Sequence, residues 1–244
     1  MIPISYDMHI HSCLSPCGDD DMTPGNIVGM AALLGLDAVA LCDHNTCKNC
    51  PAIMKIAEEF GVIAIPGMEL TTAEEVHVLC YFSNLNDALA FDEYVESRIL
   101  PIPLNPQFFG NQIIIDEDDN PKGTFDTLLI SATDISFDKA YDIIKSFNGI
   151  MVPAHLDKSS TSLLSNLGLI PSDSKFKIAE LKNPSRYDEL RALHPYLNDC
   201  HILSSTDAHR LESLKEPQNF LHVEEKSLKG IYDTLLRYEA LNGK

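Results

Sequence analysis

Short runs of β-branched and apolar residues alternate along the chain with amphipathic segments of helical period. This alternation is typical of βα units arranged around a parallel sheet. The predicted strands cover residues 2–10, 36–42, 62–68, 76–82, 149–154, 176–181, 201–205 and 220–223. The pattern predicts an α/β fold, and a chain of 244 residues suits one α/β barrel better than two small domains.

Helical patterns fall between most of these strands. Thr23 and Pro24 form a helix-start signature before residues 26–34, and Gly35 suits the end of that helix. The other predicted helices cover residues 51–60, 87–97, 137–147, 186–194 and 227–241.

The stretch from Arg98 to Ile135 breaks this rhythm. It opens with three prolines and then places an acidic, Asn-Pro-containing turn between two apolar runs, which predicts a β-hairpin. We therefore expect a single domain over residues 1–244 with an insertion at about 98–135.

The charge balance is strongly acidic, with 18 basic and 36 acidic side chains and a formal net charge of −18. Because the chain contains no run of Lys and Arg, we expect long nucleic acid, duplex DNA included, to be excluded as a partner.

No apolar stretch approaches the roughly 20 residues that span a bilayer, and the N-terminus lacks a signal-peptide pattern. We therefore expect no membrane partner and a cytoplasmic location. The seven cysteines, an odd number, suit free thiols in a reducing compartment.

Polar residues interrupt the apolar runs near the ends of the predicted strands. Asp7, His9 and His11 alternate at the end of the first strand, so their side chains share one face. The later runs end in or contain further histidines and carboxylates, namely Asp43, His44, Glu69, His77, His155, Asp207 and His209. In a barrel of parallel strands the carboxyl ends meet in one place and carry the active site. This mixed set of imidazoles and carboxylates suits Zn, Mn or Fe better than Mg alone.

The pattern gives less support for a metal or redox role of the other histidines and of the cysteines. A single histidine at a strand end is more often a core or surface residue than a ligand, and His194, His201 and His222 keep that interpretation. Cys13 and Cys17, together with Cys47 and Cys50, could form a zinc site of four thiolates. Alternatively, Cys47 and Cys50 alone could form a redox pair. Both alternatives are weaker, because these loops also carry the proposed histidine site.

The ordered motifs resemble those of the PHP (polymerase and histidinol phosphatase) superfamily. They are Asp7-Met8-His9-Ile10-His11, Asp43-His44-Asn45, Glu69, His77, Pro153-Ala154-His155 and Thr206-Asp207-Ala208-His209. The resemblance covers residues 1 to about 210 and is greatest to the stand-alone metal-dependent phosphoesterases. It implies a distorted (β/α)7 barrel of the TIM-like type that holds two to three divalent ions (Mn, Zn or Fe) in a trinuclear site.

The resemblance also implies the ligand sets. One ion would be held by His9, His11, Glu69 and Asp207, a second by Glu69, His77 and His155, and a third by His44 and His209. For the remaining ligand of the third ion we favour Asp19 or Asp20, with Cys17 as the alternative. Asp7 and Asp43 would orient imidazoles through hydrogen bonds.

The implied activity is hydrolysis of a small phosphorylated substrate by a metal-activated hydroxide. That substrate would be a nucleotide, a short oligonucleotide end, or a sugar or amino-alcohol phosphate. Glu69, Asp207 and Lys158 would carry the catalytic roles, and Lys158 is better placed than Lys182 or Arg210 to hold the substrate. The alternatives are an amidohydrolase-like hydrolase of a non-phosphate substrate and a non-catalytic module whose metal sites are closed by protein ligands.

Overall fold

The computed structural model describes residues 1–240, which form a mixed α/β fold. The strands are β1 (Ile2–Ile10), β2 (Ala38–Leu41), β3 (Ile63–Thr71), β4 (His77–Tyr81), β5 (Ile113–Ile115), β6 (Pro121–Thr124), β7 (Ile150–Pro153), β8 (Ile178–Glu180), β9 (His201–Leu203) and β10 (Phe220–Val223). The helices are α1 (Pro24–Leu34), α2 (Cys50–Phe60), α3 (Leu85–Glu96), α4 (Pro106–Phe109), α5 (Phe137–Ser146), α6 (Leu163–Leu167), α7 (Tyr187–Leu193) and α8 (Leu228–Ala240).

The main sheet has the strand order β10-β1-β2-β3-β4-β7. Only the β1–β2 and β2–β3 pairs are parallel, whereas β10, β4 and β7 each join the sheet in antiparallel pairs. The prediction of a (β/α)7 barrel is therefore confirmed only as an α/β fold with a curled, half-barrel sheet. The reason is the short connection at residues 72–76, because a parallel crossover needs about a dozen residues or more and β4 must turn back against β3.

A separate parallel pair, β8–β9, lies beside this sheet. Just beyond β7, the Leu156 amide donates a hydrogen bond to the Glu180 carbonyl at 2.9 Å. On the other side, Ile10 at the end of β1 forms a parallel bridge with Ala208, which follows β9. These contacts bring the carboxyl ends of β1, β7, β8 and β9 to one region of the molecule.

The central strands are buried on both faces, so alternate side chains enter different layers. Val39 and Leu41 of β2 pack in the layer that faces the helices, together with Ile27 and Ile53. Ala38 and Ala40 of the same strand pack in a second, inner layer. The near-continuous apolar runs of the sequence follow from this double burial.

Helix α1 begins and ends where the sequence predicts. The Thr23 side chain accepts a hydrogen bond from the Asn26 amide, Pro24 lies in the first turn, and Gly35 ends the helix with a φ of 80°. The predicted hairpin also forms, because β5 and β6 pair in antiparallel fashion. Leu241, the last residue of the predicted C-terminal helix, lies outside the described residues. Within residues 1–240, no helix combines the length and apolar character that crossing a membrane requires.

Candidate metal centre

Five imidazoles surround the carboxylate of Glu69, a residue of β3 that is 1% exposed. One carboxylate oxygen, Oε1, lies 3.0 Å from His77 Nδ1, 3.1 Å from His155 Nε2 and 3.3 Å from His9 Nε2. The other, Oε2, lies 3.0 Å from His44 Nδ1 and 3.4 Å from His11 Nε2. Glu69 therefore has the position of a bridging carboxylate, with imidazole nitrogens facing both of its oxygens.

A second carboxylate, Asp207, borders the same histidines. Its Oδ1 lies 3.5 Å from both His9 Nε2 and His11 Nε2, and 3.7 Å from His209 Nδ1. The Asp207 backbone has a φ of 53°, in the left-handed region, which costs on the order of 1–3 kcal/mol for such a residue. His155 is also left-handed, with a φ of 30°. Strained conformations at two of the converging side chains are typical of a functional site.

The cluster fits divalent cations. Three groups have ligand atoms within 4.8 Å of one another, namely His9-His11-Glu69, His44-Glu69-His77 and His11-His44-His209. The Nδ1 atoms of His44 and His77 are buried without a hydrogen-bond partner, although each lies 3.0 Å from a Glu69 oxygen. The Nε2 atoms of His9 and His11 face each other at 3.1 Å. Cations bound between these imidazole nitrogens and the carboxylate oxygens would give every one of these atoms a partner. A ligand set of nitrogens and carboxylate oxygens suits Zn, Mn or Fe.

Burial and mutual charge set the protonation of the cluster. Burial by itself raises the pKa of Glu69, but the surrounding imidazoles, His77 foremost, hold that pKa well below its usual range. Burial lowers the pKa of His44 well below its usual range and that of His11 to about 3. Burial also opposes the charged form of His9, but the neighbouring carboxylates, Glu180 foremost, raise its pKa well above the usual value. Glu69, His11 and His44 are therefore in the forms that bind metal, whereas His9 must release a proton to do so.

Glu180, at the end of β8, is a residue that the sequence analysis missed. Its Oε2 lies 3.0 Å from His9 Nδ1 and accepts a hydrogen bond from the His155 amide at 3.0 Å. The contact with Nδ1 leaves the Nε2 atom of His9 directed at Glu69, which is how a carboxylate orients a ligand imidazole. The available signal was an acidic residue inside the apolar run at 176–181.

The two aspartates that were expected to orient imidazoles, Asp7 and Asp43, are linked to the cluster through other residues. Asp43 accepts hydrogen bonds from Ser12 and from Ser15 Oγ, and Ser15 Oγ in turn lies 3.0 Å from His11 Nδ1. Asp7 accepts hydrogen bonds from the Thr206 amide at 3.1 Å and from the Thr206 hydroxyl at 2.6 Å. Asp43 therefore positions His11 through a serine, and Asp7 holds the loop that carries the second carboxylate.

The structure does not bring the carboxylates of Asp19 and Asp20 into the cluster. The Asp19 amide donates to the His209 carbonyl at 3.0 Å, but its carboxylate lies 3.6 Å from Arg210 Nε. The Asp20 carboxylate accepts hydrogen bonds from the Asn111 side chain. Cys17 lies in the same loop and is a free, exposed cysteine. That Asp19, Asp20 or Cys17 completes the ligand set of the third ion with His44 and His209 stays a prediction.

Two lysines reach the rim of the centre. Lys158 Nζ lies 3.1 Å and Lys182 Nζ 3.3 Å from Asp207 Oδ2, the oxygen that faces away from the imidazoles. Their side chains are 33% and 47% exposed, respectively. Both ammonium groups can therefore meet an anionic ligand from solvent, whereas Arg210 pairs with Asp19. The substrate-binding role of Lys158 stays a prediction.

The proposed four-thiolate zinc site does not assemble. Cys13 Sγ faces the Ile113 carbonyl at 3.7 Å, whereas Cys47 Sγ and Cys50 Sγ face the Gly67 carbonyl at 3.2 Å and 3.5 Å. All seven cysteines are free.

Known proteins match this chain in sequence. A family model described as PHP domain matches residues 7–156. An uncharacterized protein of Methanocaldococcus jannaschii is 31% identical over 116 residues, which covers 41% of this chain and 68% of that protein. A 5′-3′ exoribonuclease of Haemophilus influenzae is 34% identical over 77 residues, which covers 30% of this chain and 27% of that protein.

Solved structures share the fold. The lesion-specific endonuclease Q of Pyrococcus furiosus has a TM-score of 0.67 at 20% identity, over 95% of this chain and 55% of the other. A structure assigned to a metal-dependent phosphoesterase of Bifidobacterium adolescentis has a TM-score of 0.59 at 18% identity, over 95% of this chain and 96% of the other. The chain thus spans about half the length of endonuclease Q.

The exclusion of long nucleic acid is wrong. A further structure of endonuclease Q has a TM-score of 0.63 at 17% identity, over 97% of this chain and 57% of the other, and holds a 27-mer duplex with an abasic lesion at its active site. A protein of this fold therefore binds a long duplex. Net charge failed as a guide because it averages the whole surface, whereas a phosphate group responds to the local field where it binds.

Proposed function

We propose that this chain, which belongs to the PHP domain family, is a metal-dependent hydrolase that cleaves phosphate esters. The observation that carries the proposal is the convergence of five imidazoles on the buried Glu69 carboxylate, beside a rim with two lysines. The imidazoles and carboxylates supply ligands for two to three divalent ions. The lysines supply positive charge for an anionic substrate.

Bound divalent ions would supply an activated hydroxide near neutral pH and would stabilise negative charge on the oxygens of a phosphate. The residues of the chain would bind the ions, orient the ligands and position the substrate. Glu69 and Asp207 hold the cluster together as carboxylate ligands, and Glu180 fixes the orientation of His9. Lys158 and Lys182 would exchange their contact with Asp207 for non-bridging phosphate oxygens, which positions the substrate over the cluster.

The test is a substrate panel with metal-stripped protein that is reloaded with Mn, Zn or Fe(II). The panel contains aryl phosphate mono- and diesters, nucleotides, sugar phosphates, and single-stranded and duplex oligonucleotides, with amide, lactone and carboxylic ester substrates alongside. We expect metal-dependent hydrolysis of at least one phosphate ester and its loss in His9→Ala. His222→Ala is the matched control, because His222 lies exposed on β10 and outside the cluster.

Three outcomes would contradict the proposal. A folded, metal-loaded protein that cleaves no phosphate ester would refute the phosphoesterase activity. Hydrolysis confined to amides, lactones or carboxylic esters would favour the amidohydrolase-like alternative. Unchanged phosphate-ester activity in His9→Ala would show that the cluster does not carry the reaction.

A further inference from the structure

One stretch within the 98–135 segment carries no charged side chain. Residues 99–115 read ILPIPLNPQFFGNQIII, in a chain of which 22% of the residues are charged. Four large apolar side chains of this stretch are exposed, namely Leu100 (47%), Ile102 (45%), Phe108 (84%) and Phe109 (41%). Exposed large apolar side chains are candidates for a binding surface, and the two that are adjacent in the chain, Phe108 and Phe109, are called the aromatic patch below.

Short contacts anchor this aromatic patch on the loop that follows β1, which links two residues of the metal centre. Phe108 and Phe109 end α4, and the next residue, Gly110, packs so closely on the loop after β1 that an added Cβ would lie 2.5 Å from the Pro16 carbonyl oxygen. The Ile113 amide also donates to the Cys13 carbonyl at 2.9 Å. This loop begins at the cluster residue His11, directly after β1, and its Asp19 amide donates a hydrogen bond to the carbonyl of His209, another cluster residue.

The other end of the 98–135 segment is anchored beside two more cluster residues. The Asn45 side chain, directly after His44, donates hydrogen bonds to the carbonyls of Leu129 and Ser131 at 2.7 and 2.8 Å. The Thr133 amide donates to the carbonyl of residue 71, two positions after Glu69, at 3.0 Å. The segment therefore contacts residues close in the chain to three of the cluster side chains, His11, His44 and Glu69. Its exposed phenylalanines directly precede Gly110, which contacts the loop that follows β1.

We propose that Phe108 and Phe109 form a stacking surface for a nucleobase of the substrate whose phosphate binds at the metal centre. The inference rests on the proposed function and narrows its substrate class to nucleotides and nucleic-acid ends. A nucleobase is planar and uncharged, and aromatic side chains bind its face without sequence preference. Gln107, exposed on the same short helix, offers an amide to the edge of the base.

The charge pattern distinguishes this occupant from others. Surfaces that bind anionic membranes or phosphate backbones carry Lys and Arg, and residues 99–115 contain neither. A substrate that places its phosphate over the cations and its neutral base on the uncharged patch matches both surfaces. A sugar phosphate without a base would leave the phenylalanines in water.

The first experiment measures binding directly, from the fluorescence recorded before the substrate is consumed. The chain contains no tryptophan, so Phe108→Trp introduces a single indole whose fluorescence is quenched when a base stacks on it. We expect saturable quenching of the Mn-loaded variant by AMP and by a short single-stranded oligonucleotide, but not by ribose 5-phosphate. Phe60→Trp, at the end of α2 where Phe60 is 52% exposed, is the control and should show no saturable change.

The second experiment compares AMP with ribose 5-phosphate as substrates. In the wild-type protein we expect a higher kcat/KM for AMP, and Phe108→Ala should reduce the ratio of the two values about tenfold while the value for ribose 5-phosphate stays the same. Phe108→Tyr should restore the ratio, and Phe60→Ala should leave it unchanged.

The outcomes separate this inference from the proposed function. If the protein cleaves phosphate esters but the AMP preference is absent or survives Phe108→Ala, the stacking surface is wrong and the phosphoesterase stands. If no phosphate ester is cleaved, the activity fails, and the fluorescence titration still decides whether the patch binds a base. Indole changes caused by phosphatidylcholine–phosphatidylserine vesicles, or by protein concentration alone, without any response to AMP, would assign the patch to a membrane or to a second copy and overturn the inference.

Discussion

Glu180→Gln tests whether a buried carboxylate outside the ligand set controls the metal centre. The glutamine oxygen can keep the contacts with His9 Nδ1 and the His155 amide, both 3.0 Å in the wild-type protein, so the shape of the site is preserved. The negative charge is lost, and each charge-assisted hydrogen bond becomes a neutral one that is weaker by about 1 kcal/mol. The cations lose a neighbouring negative charge and His9 loses its charged orienting partner, which outweighs the easier proton release from His9, and we expect metal affinity to fall by about 10- to 100-fold.

The substitution also affects folding. Glu180 Oε1 is buried and has no hydrogen-bond partner, so the amide group of glutamine would place an unsatisfied donor there at a cost of about 1–3 kcal/mol. Glu239→Gln is the matched control, because Glu239 also has a buried, unpartnered Oε1 and its Oε2 contacts Lys145 at 2.7 Å. We expect both variants to lose stability and only Glu180→Gln to lose metal affinity.

Isothermal titration with Mn and competition with a fluorescent chelator for Zn measure the affinity, and urea denaturation of the metal-free proteins measures the stability. If folded Glu180→Gln binds metal within twofold of the wild-type affinity, the carboxylate does not tune His9. If Glu239→Gln loses the same affinity, the effect comes from general destabilisation.

Three other measurements probe the same structure. Lys158→Ala should raise the KM for a phosphate ester about tenfold with a smaller change in kcat, because both Lys158 and Lys182 contact Asp207 at the rim of the centre. Lys182→Ala should have a smaller effect, because the Lys182 side chain is 47% exposed and that of Lys158 is 33% exposed; an unchanged KM in both variants would contradict their role. Burial lowers the pKa of His201 to about 4, below its unfolded value of about 6.5, so acidification through this window destabilises the folded state. His201→Phe keeps the ring stacked on Tyr238, and between pH 7 and 4.5 its free energy of unfolding should fall by about 2 kcal/mol less than that of the wild-type protein; equal slopes would refute this. Chelation should lower the Tm, because a bound ion at 100 times its Kd stabilises the fold by about 2.7 kcal/mol, and Mn should restore it; a Tm unchanged by chelation would argue against tight binding.

Local patterns in the sequence were sufficient to locate the secondary structure that carries the centre. β1 has the predicted bounds, and α1 ends at Gly35 because this position needs a left-handed backbone. Alternation placed His9, in β1, and His11, directly after β1, on one face, and the structure brings both beside Glu69. These features depend on residue type and on period two, both of which are local properties.

The features that the sequence analysis missed depend on pairing between distant segments. Glu180 acts on His9 across two strands that are not neighbours in the chain, and its local signal, an acidic residue within an apolar run, does not identify its partner. The carboxylates of Asp19 and Asp20 turn toward Arg210 and Asn111, because the path of the loop decides their direction. The antiparallel return of β4 likewise follows from the length of one connection, which outweighs the general alternation of strands and helices.

The bridge between Ile10 and Ala208 has a consequence for how the protein folds. The neighbouring hydrogen bond from Thr206 to Asp7 joins residues 199 positions apart, so the two ends of the ligand set meet only after most of the chain is ordered. Contacts of such high sequence separation are slow to form, because loop closure costs entropy before any contact is gained. Metal binding should therefore coincide with the slowest refolding phase. The rate at which the visible absorption of bound Co(II) appears would then report the rate at which the two ends of the ligand set meet.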